Sequence, residues 1–174
     1  MNNTQTSYKI IQTDIGASCR ATRKIFQNSI IFESMGSIED KASKHSVQID
    51  ANRHLLANND LIYVNHSFNP NCHMKIFADP PKLQLVALRD IESDEDLSFN
   101  YNTSEWELSC PFQDCNTQKY VTGCKFLDAQ EIKKIWPLLS DWIKEKIKIE
   151  TPHLVQTQSG SVFVDSTIKP TSSV

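Results

Sequence analysis

Residues 63–72 read YVNHSFNPNC and bring three asparagines, a histidine, a serine, a proline and a cysteine into ten positions. A turn needs only the Asn-Pro dipeptide, because proline fixes its own φ and moves the preceding residue towards extended backbone. Asn65, His66 and Ser67 are therefore not explained by the turn. Their polar groups either satisfy buried backbone at a tight crossing of the chain or face a ligand.

The composition indicates one globular domain with an ordinary core. The chain has 174 residues, of which 39% are hydrophobic and 22% are charged, and these values are close to those of globular proteins. The formal net charge of -3 provides no basic surface for non-specific binding of nucleic acid. We therefore expect no direct nucleic-acid partner, although an acidic groove would suit a basic peptide.

The sequence has no apolar run of the length that a membrane span requires, and we expect no membrane partner. Its N-terminus, MNNTQTSYK, lacks the basic and then apolar pattern of a secretion signal. The cysteines number five and are irregularly spaced, which disfavours a secreted disulfide framework. These features predict a cytoplasmic protein with reduced thiols, and they leave the oligomeric state open.

Short apolar segments separated by polar turns predict a mostly β protein with short helices. With only four glycines in the chain, Gly16 and Gly123 are expected to mark special backbone conformations. Residues 34–44 are predicted as a polar loop. The predicted strands lie within 8–32, around 47–49, at 61–64, in a hairpin-like pair on either side of residues 79–82, and at 96–102.

The helical pattern is confined to the C-terminal part. Asp128 and Glu131 have the spacing of a capping box, and apolar residues then recur every three or four positions. Pro137 interrupts this pattern, so the sequence predicts two helices, at 128–136 and 137–148. The tail at 149–174 has no periodicity and is predicted to be mobile.

Two segments carry a family resemblance. NHSFNPNC at 65–72 and DLSFNY at 96–101 resemble, in order and separation, the two signature motifs of the SET-domain family. GASCRATRKIFQNSIIFE resembles the family's glycine-rich opening, and YVTGCKFLDAQE resembles the end of a post-SET segment. The resemblance implies a SET domain with a degenerate post-SET segment at 1–127, followed by the helical segment at 128–148.

The resemblance also implies a fold. Family members have a β-clip of small sheets with a knot-like crossing, in which the Asn-His-Ser strand passes beneath the segment that ends here in Tyr101. By the same resemblance, the chain is expected to be an S-adenosylmethionine-dependent methyltransferase acting on a protein or peptide substrate that bears a lysine.

Positions matching the family motifs supply the candidate site. Tyr101 is expected to be catalytic, because its hydroxyl can orient the attacking amine without carrying charge. The asparagine amide can both donate and accept hydrogen bonds, which suits the amino-acid end of the cofactor. The predicted cofactor-binding residues are Gly16, Ala17, Ser18, Asn65, His66, Tyr101 and Trp106.

The sequence departs from the family pattern at several positions. Ser18 replaces a glycine, and a positive φ there would be strained. Asn100 stands in place of the aspartate before the tyrosine. The insert at 33–62 has no tyrosine, although family members commonly supply a second channel tyrosine there. Two alternatives therefore stay open: a SET-fold binding protein without transfer activity, and an enzyme redirected to a small-molecule or carrier-bound substrate.

A structural zinc ion is not expected. Phe68 occupies the position from which the family supplies one cysteine ligand, and Cys110, Cys115 and Cys124 do not have the spacing of the remaining set. Phe68 and Phe112 are instead predicted to close this end of the groove by apolar packing.

Overall fold

Small β-sheets build most of the molecule, as the sequence predicts. The computed structural model describes residues 6–14 and 16–150, together with the backbone of 156–158 and 161–163. The strands are β1 Tyr8–Thr13, β2 Gly16–Ala21, β3 Ile30–Ser34, β4 Gly36–Glu39, β5 Ser46–Gln48, β6 His54–Ala57, β7 Asn65–His66, β8 Cys72–Ala78, β9 Pro81–Ala87, β10 Ser98–Phe99, β11 Phe112–Gln113, β12 Tyr120–Val121, β13 Gln156–Gln158 and β14 Ser161–Phe163.

The strands form six sheets. Two of these have three strands each, in the orders β3-β9-β8 and β4-β6-β5. The others are pairs: β1 with β2, β11 with β12, β13 with β14, and β7 with β10. Only the β7–β10 pair is parallel among the described strands, and it joins the two motifs that carry the family resemblance.

Two helices follow the sheets, and they meet the prediction for residues 128–148. Helix α1 spans Ala129–Ile135 and helix α2 spans Asp141–Glu150, with a short 3-10 helix at Trp136–Leu138 that contains the proline. Asp128 and Glu131 form the predicted capping box. The predicted tail at 149–174 lies largely outside the described residues. Its first two residues, 149 and 150, belong to α2.

Two hydrophobic cores hold the fold together. The first lies among the sheets and includes Leu55, Leu83, Leu85, Ile91 and Leu97, none of which is exposed. The second joins the helices to the segment that precedes them, through Cys124, Ile132, Leu139, Ile143 and Ile147. In the part of the chain that the structure describes, no helix has both the length and the apolar character needed to cross a bilayer.

Two local predictions are wrong. Residues 34–44 contain strand β4 rather than only loop, because backbone pairing with β6 stabilises a strand that has only one apolar residue, Ile38. Residues 61–64 are not a strand, since Asp60–Tyr63 form a 3-10 helix whose Leu61 N–H is capped by the Asn59 side chain. Ser18 lies in β2 and has no positive φ, so the strain that a positive φ would cause at this position does not arise.

The two glycines singled out in the sequence do adopt positive φ. Gly16 has a φ of 122° and Gly123 a φ of 110°, and this region is unfavourable for residues with a side chain. A Cβ at Gly123 would also lie 2.5 Å from the carbonyl oxygen of Trp106. Both positions border the candidate site described next.

Candidate active site

The centre of the site is the parallel pair of β7 and β10. Asn65 lies opposite Ser98 and His66 opposite Phe99, and the Ser67 N–H donates to the Phe99 carbonyl oxygen at 3.0 Å. The Asn-His-Ser segment therefore runs alongside the segment that leads into Tyr101. This is the location of the predicted knot-like crossing.

A buried asparagine that the sequence analysis did not single out holds this crossing. The Asn71 Nδ2 donates to the Asp96 carbonyl oxygen at 2.9 Å, and its Oδ1 accepts from the Ser98 N–H at 2.9 Å. The residue is 3% exposed. Its place in the asparagine-rich motif was the available signal, since a buried amide needs partners for both of its ends.

Tyr101 is hydrogen-bonded through its backbone to His66 of β7 and through its side chain to Val64, the residue before β7. Its hydroxyl donates to the Val64 carbonyl oxygen at 2.8 Å, and its N–H donates to His66 Nδ1 at 3.1 Å. Burial raises the pKa of the hydroxyl well above its ordinary value. Tyr101 is therefore a neutral group with a fixed O–H direction, and its oxygen can still accept a hydrogen bond.

His66 is neutral and has a defined tautomer. Because Nδ1 accepts from the Tyr101 N–H, the ring proton lies on Nε2. Burial lowers the pKa of His66 to about 4, although the nearby Asp114 opposes this shift. Among the described residues, the buried Nε2 has no hydrogen-bond partner.

Aromatic rings surround His66. The Phe68 ring packs edge-on with its centroid 4.6 Å from that of His66, and the Phe112 ring does so at 5.9 Å. The Tyr101 ring is 5.3 Å from His66. Phe68 and Phe112 thus pack against the same side chain, and closure of the groove by these two rings stays a prediction.

The two segments predicted to bind the cofactor are adjacent. The Asn65 Nδ2 donates to the Ala17 carbonyl oxygen at 3.1 Å, which brings the start of β2 next to the start of β7. Asn65 and Gly16 are exposed, Ser18 is buried, and nothing lies within 4 Å of a Cβ placed at Gly16. The arrangement leaves open space and the Asn65 amide oxygen for a ligand.

Trp106 occupies a different environment from the other predicted residues. It packs against the second core, and the Lys146 Nζ of α2 lies 5.1 Å from its ring centroid. Its backbone N–H donates to the Gln48 Oε1 at 3.0 Å. The contact of Trp106 with a cofactor stays a prediction.

The segment between Tyr101 and α1 forms a pocket that the sequence did not indicate. It has a volume of about 490 Å³ and adjoins Phe68, whose ring lies 5.7 Å from the Lys119 Nζ. Aromatic and polar groups both face the pocket. Its lining residues are Phe68, Gln118, Lys119, Tyr120, Thr122, Phe126, Leu127 and Glu131.

The cysteines of this segment do not gather as ligands. Cys110 and Cys115 are exposed, whereas Cys124 is buried in the second core. Within residues 6–14 and 16–150, no three His, Cys, Asp or Glu side chains are grouped as a metal site would require. The absence of zinc from the protein itself stays a prediction.

A buried carboxyl lies next to the Tyr101 turn. Glu105 is 8% exposed, and its Oε1 accepts from the Gln48 N–H at 2.9 Å. Burial raises the pKa of this carboxyl to about 8. Sequence reasoning missed both Gln48 and Glu105, because the two residues are far apart in the chain and neither belongs to a recognisable motif.

The chain is similar to known proteins of one family. A family model described as the SET domain matches residues 16–102, which is half of the chain. A search of curated proteins found no match. Solved structures similar to the chain include the crystal structure of a Plasmodium falciparum candidate histone methyltransferase. That similarity has 20% sequence identity and a TM-score of 0.45, and it covers 54% of this chain and 96% of the other.

Proposed function

Since this chain belongs to the SET-domain family, we propose that it is an S-adenosylmethionine-dependent methyltransferase acting on a lysine side chain of a protein or peptide. Members of the family are usually methyltransferases. The observation that carries the proposal is the fixed hydroxyl of Tyr101, which bonds to the Val64 carbonyl oxygen at 2.8 Å beside the β7–β10 crossing.

The residues present fit the cofactor. Gly16 and Asn65 are exposed at neighbouring points, and the Asn65 amide is oriented by its bond to the Ala17 carbonyl oxygen. An amide oxygen held in this way can accept from an amino group, and the open space at Gly16 lets a ligand approach the backbone. When bound, the cofactor supplies an electrophilic methyl group on a sulfonium centre.

The remaining task of the protein is to present a neutral amine. Burial of a lysine ammonium lowers its pKa and favours the neutral form that can attack. The oxygens of Tyr101 and Val64 can accept hydrogen bonds from the amine hydrogens and so orient the nitrogen lone pair. Neither oxygen carries a charge, because the pKa of Tyr101 is raised by burial. Holding the amine and the methyl group in line lowers the activation barrier by about several kcal/mol, as it does in intramolecular reactions.

The charge of the substrate and the location of the protein in the cell are also part of the proposal. The mildly acidic chain, with a formal net charge of -3, is compatible with a basic peptide segment as substrate. A cytoplasmic location remains a proposal that rests on the sequence features given above.

Binding of S-adenosylhomocysteine to the full chain, measured by calorimetry, is the first test. The proposal expects saturable binding to the wild type and weaker binding to Asn65→Ala. If the wild type does not bind, the enzyme proposal fails and a SET-fold binding protein becomes the better explanation.

The second test is transfer of a labelled methyl group from S-adenosylmethionine to a library of proteins and peptides, with the modified residue located by mass spectrometry. A lysine product that is lost when that lysine is replaced by arginine supports the proposal. Cofactor binding combined with methylation of small molecules alone would favour the redirected enzyme instead.

A further inference from the structure

Two buried polar residues join the sheet of β4, β6 and β5, which lies in the insert at 33–62, to the segment after Tyr101. The Gln48 N–H donates to the Glu105 Oε1 at 2.9 Å, and the Gln48 Oε1 accepts from the Trp106 N–H at 3.0 Å. Gln48 is 7% exposed and Glu105 is 8% exposed. We call this pair of residues with its two hydrogen bonds the Gln48–Glu105 clasp.

The Glu105 side of the clasp is continuous with the Tyr101 turn, the turn that begins at that residue. The Glu105 N–H donates to the Tyr101 carbonyl oxygen at 3.0 Å, and the Ser104 N–H donates to the same oxygen at 3.1 Å. The Ser104 Oγ also lies within 3.2 Å of that oxygen. The turn that begins at Tyr101 therefore ends at Glu105, and hydrogen bonds link the backbones of these two residues directly.

The other side leads back to the hydroxyl of Tyr101. Gln48 pairs with His54 across β5 and β6, and β6 leads through the 3-10 helix at Asp60–Tyr63 to Val64. The Val64 carbonyl oxygen accepts from the Tyr101 hydroxyl. The clasp therefore connects the Tyr101 turn to β5, and the Tyr101 hydroxyl connects it to Val64, which follows the 3-10 helix.

We propose that Glu105 is a positioning residue. Through the clasp it fixes the Tyr101 turn against the insert, and it thereby sets the position of the Tyr101 hydroxyl relative to the Val64 carbonyl oxygen. The inference deepens the proposed function and rests on it for its catalytic consequence. A buried carboxyl is costly unless it is hydrogen-bonded, and here the Gln48 N–H and the Ser104 hydroxyl serve it. The group is not used by the transfer reaction itself.

Three variants of Glu105 separate positioning from simple stability. Glu105→Gln keeps an oxygen that can accept from the Gln48 N–H. Glu105→Asp keeps the acid but shortens its reach, and Glu105→Ala removes the acceptor. Ile91→Val is the matched control, because Ile91 is fully buried in the first core and lies outside the clasp.

Amide hydrogen exchange followed by NMR on the full chain tests the structural part without any substrate. The amides to follow are those of Tyr101, Glu105 and Trp106. In Glu105→Ala and Glu105→Asp they should exchange at least about tenfold faster than in the control, whereas Glu105→Gln should stay close to wild type. If Glu105→Ala does not fold, Glu105→Asp decides. Exchange that is no faster in it than in Ile91→Val overturns the proposal.

Kinetics with a lysine peptide found in the methylation screen test the catalytic part. We expect kcat to fall about tenfold or more in Glu105→Asp, with KM for the cofactor and affinity for S-adenosylhomocysteine nearly unchanged, and to recover in Glu105→Gln. A parallel loss of cofactor affinity, or no recovery in Glu105→Gln, contradicts a positioning role. If the wild type transfers no methyl group, the proposed function fails, while the exchange experiment still decides whether the clasp holds the turn.

Discussion

Replacement of Glu105 by glutamine should make the free energy of unfolding less dependent on pH. The pKa of Glu105 is raised by burial from an ordinary value of 4.5 to about 8. The folded protein therefore holds a proton that the unfolded chain releases. The stabilisation from this proton is fully present below about pH 4.5 and is lost as pH rises to about 8.

The size of the effect follows from the shift. One pKa unit corresponds to about 1.4 kcal/mol, so the whole shift is worth on the order of 5 kcal/mol. Glutamine cannot ionise. As pH rises from about 5 to about 7.5, the free energy of unfolding of the wild type should therefore fall by about 3 kcal/mol relative to that of Glu105→Gln.

Urea denaturation at a series of pH values, followed by tryptophan fluorescence, measures this difference. Titration of His54, His66 and His73 is common to both proteins and cancels in the comparison. Glu107→Gln is the control, since its carboxyl is exposed and paired only with Lys125 in the described structure. If the wild-type and Glu105→Gln curves remain parallel within about 1 kcal/mol, the account of a protonated buried carboxyl is refuted.

Three further predictions concern the site. Asn65→Ala should weaken S-adenosylhomocysteine binding more than tenfold in calorimetry, since a lost hydrogen bond to a charged group costs about 1.5–3 kcal/mol; unchanged affinity would make Asn65 structural. Tyr101→Phe should lower turnover or change the number of methyl groups added, as measured by mass spectrometry, and it should cost about 1–2 kcal/mol in a melt because the Val64 carbonyl loses its donor. An unaltered rate and product would remove Tyr101 from the catalytic role. Elemental analysis of protein purified without chelator should find no stoichiometric zinc, whereas about one zinc per chain after dialysis would show that the interpretation of Phe68 is wrong.

Local sequence signals predicted the parts of the fold that depend on neighbouring residues. The β8–β9 hairpin follows from two apolar runs on either side of a proline-containing turn. The start of α1 follows from the capping box at Asp128 and Glu131. The family was recognised because two motifs occur in the correct order, and that recognition placed Tyr101 next to Asn65 and His66 before any contact was known.

Tertiary structure decided the features that depend on contacts between distant residues. Residues 36–39 form strand β4 because β6, a strand from a later part of the chain, supplies their hydrogen-bond partners. The clasp between Gln48 and Glu105 is the clearest case. Neither residue stands out in the sequence, and only folding buries the carboxyl beside a backbone N–H from another sheet. Burial and long-range hydrogen bonding, which raise the pKa of Glu105 and fix the Tyr101 turn, depend on three-dimensional packing and have no local pattern from which to be predicted.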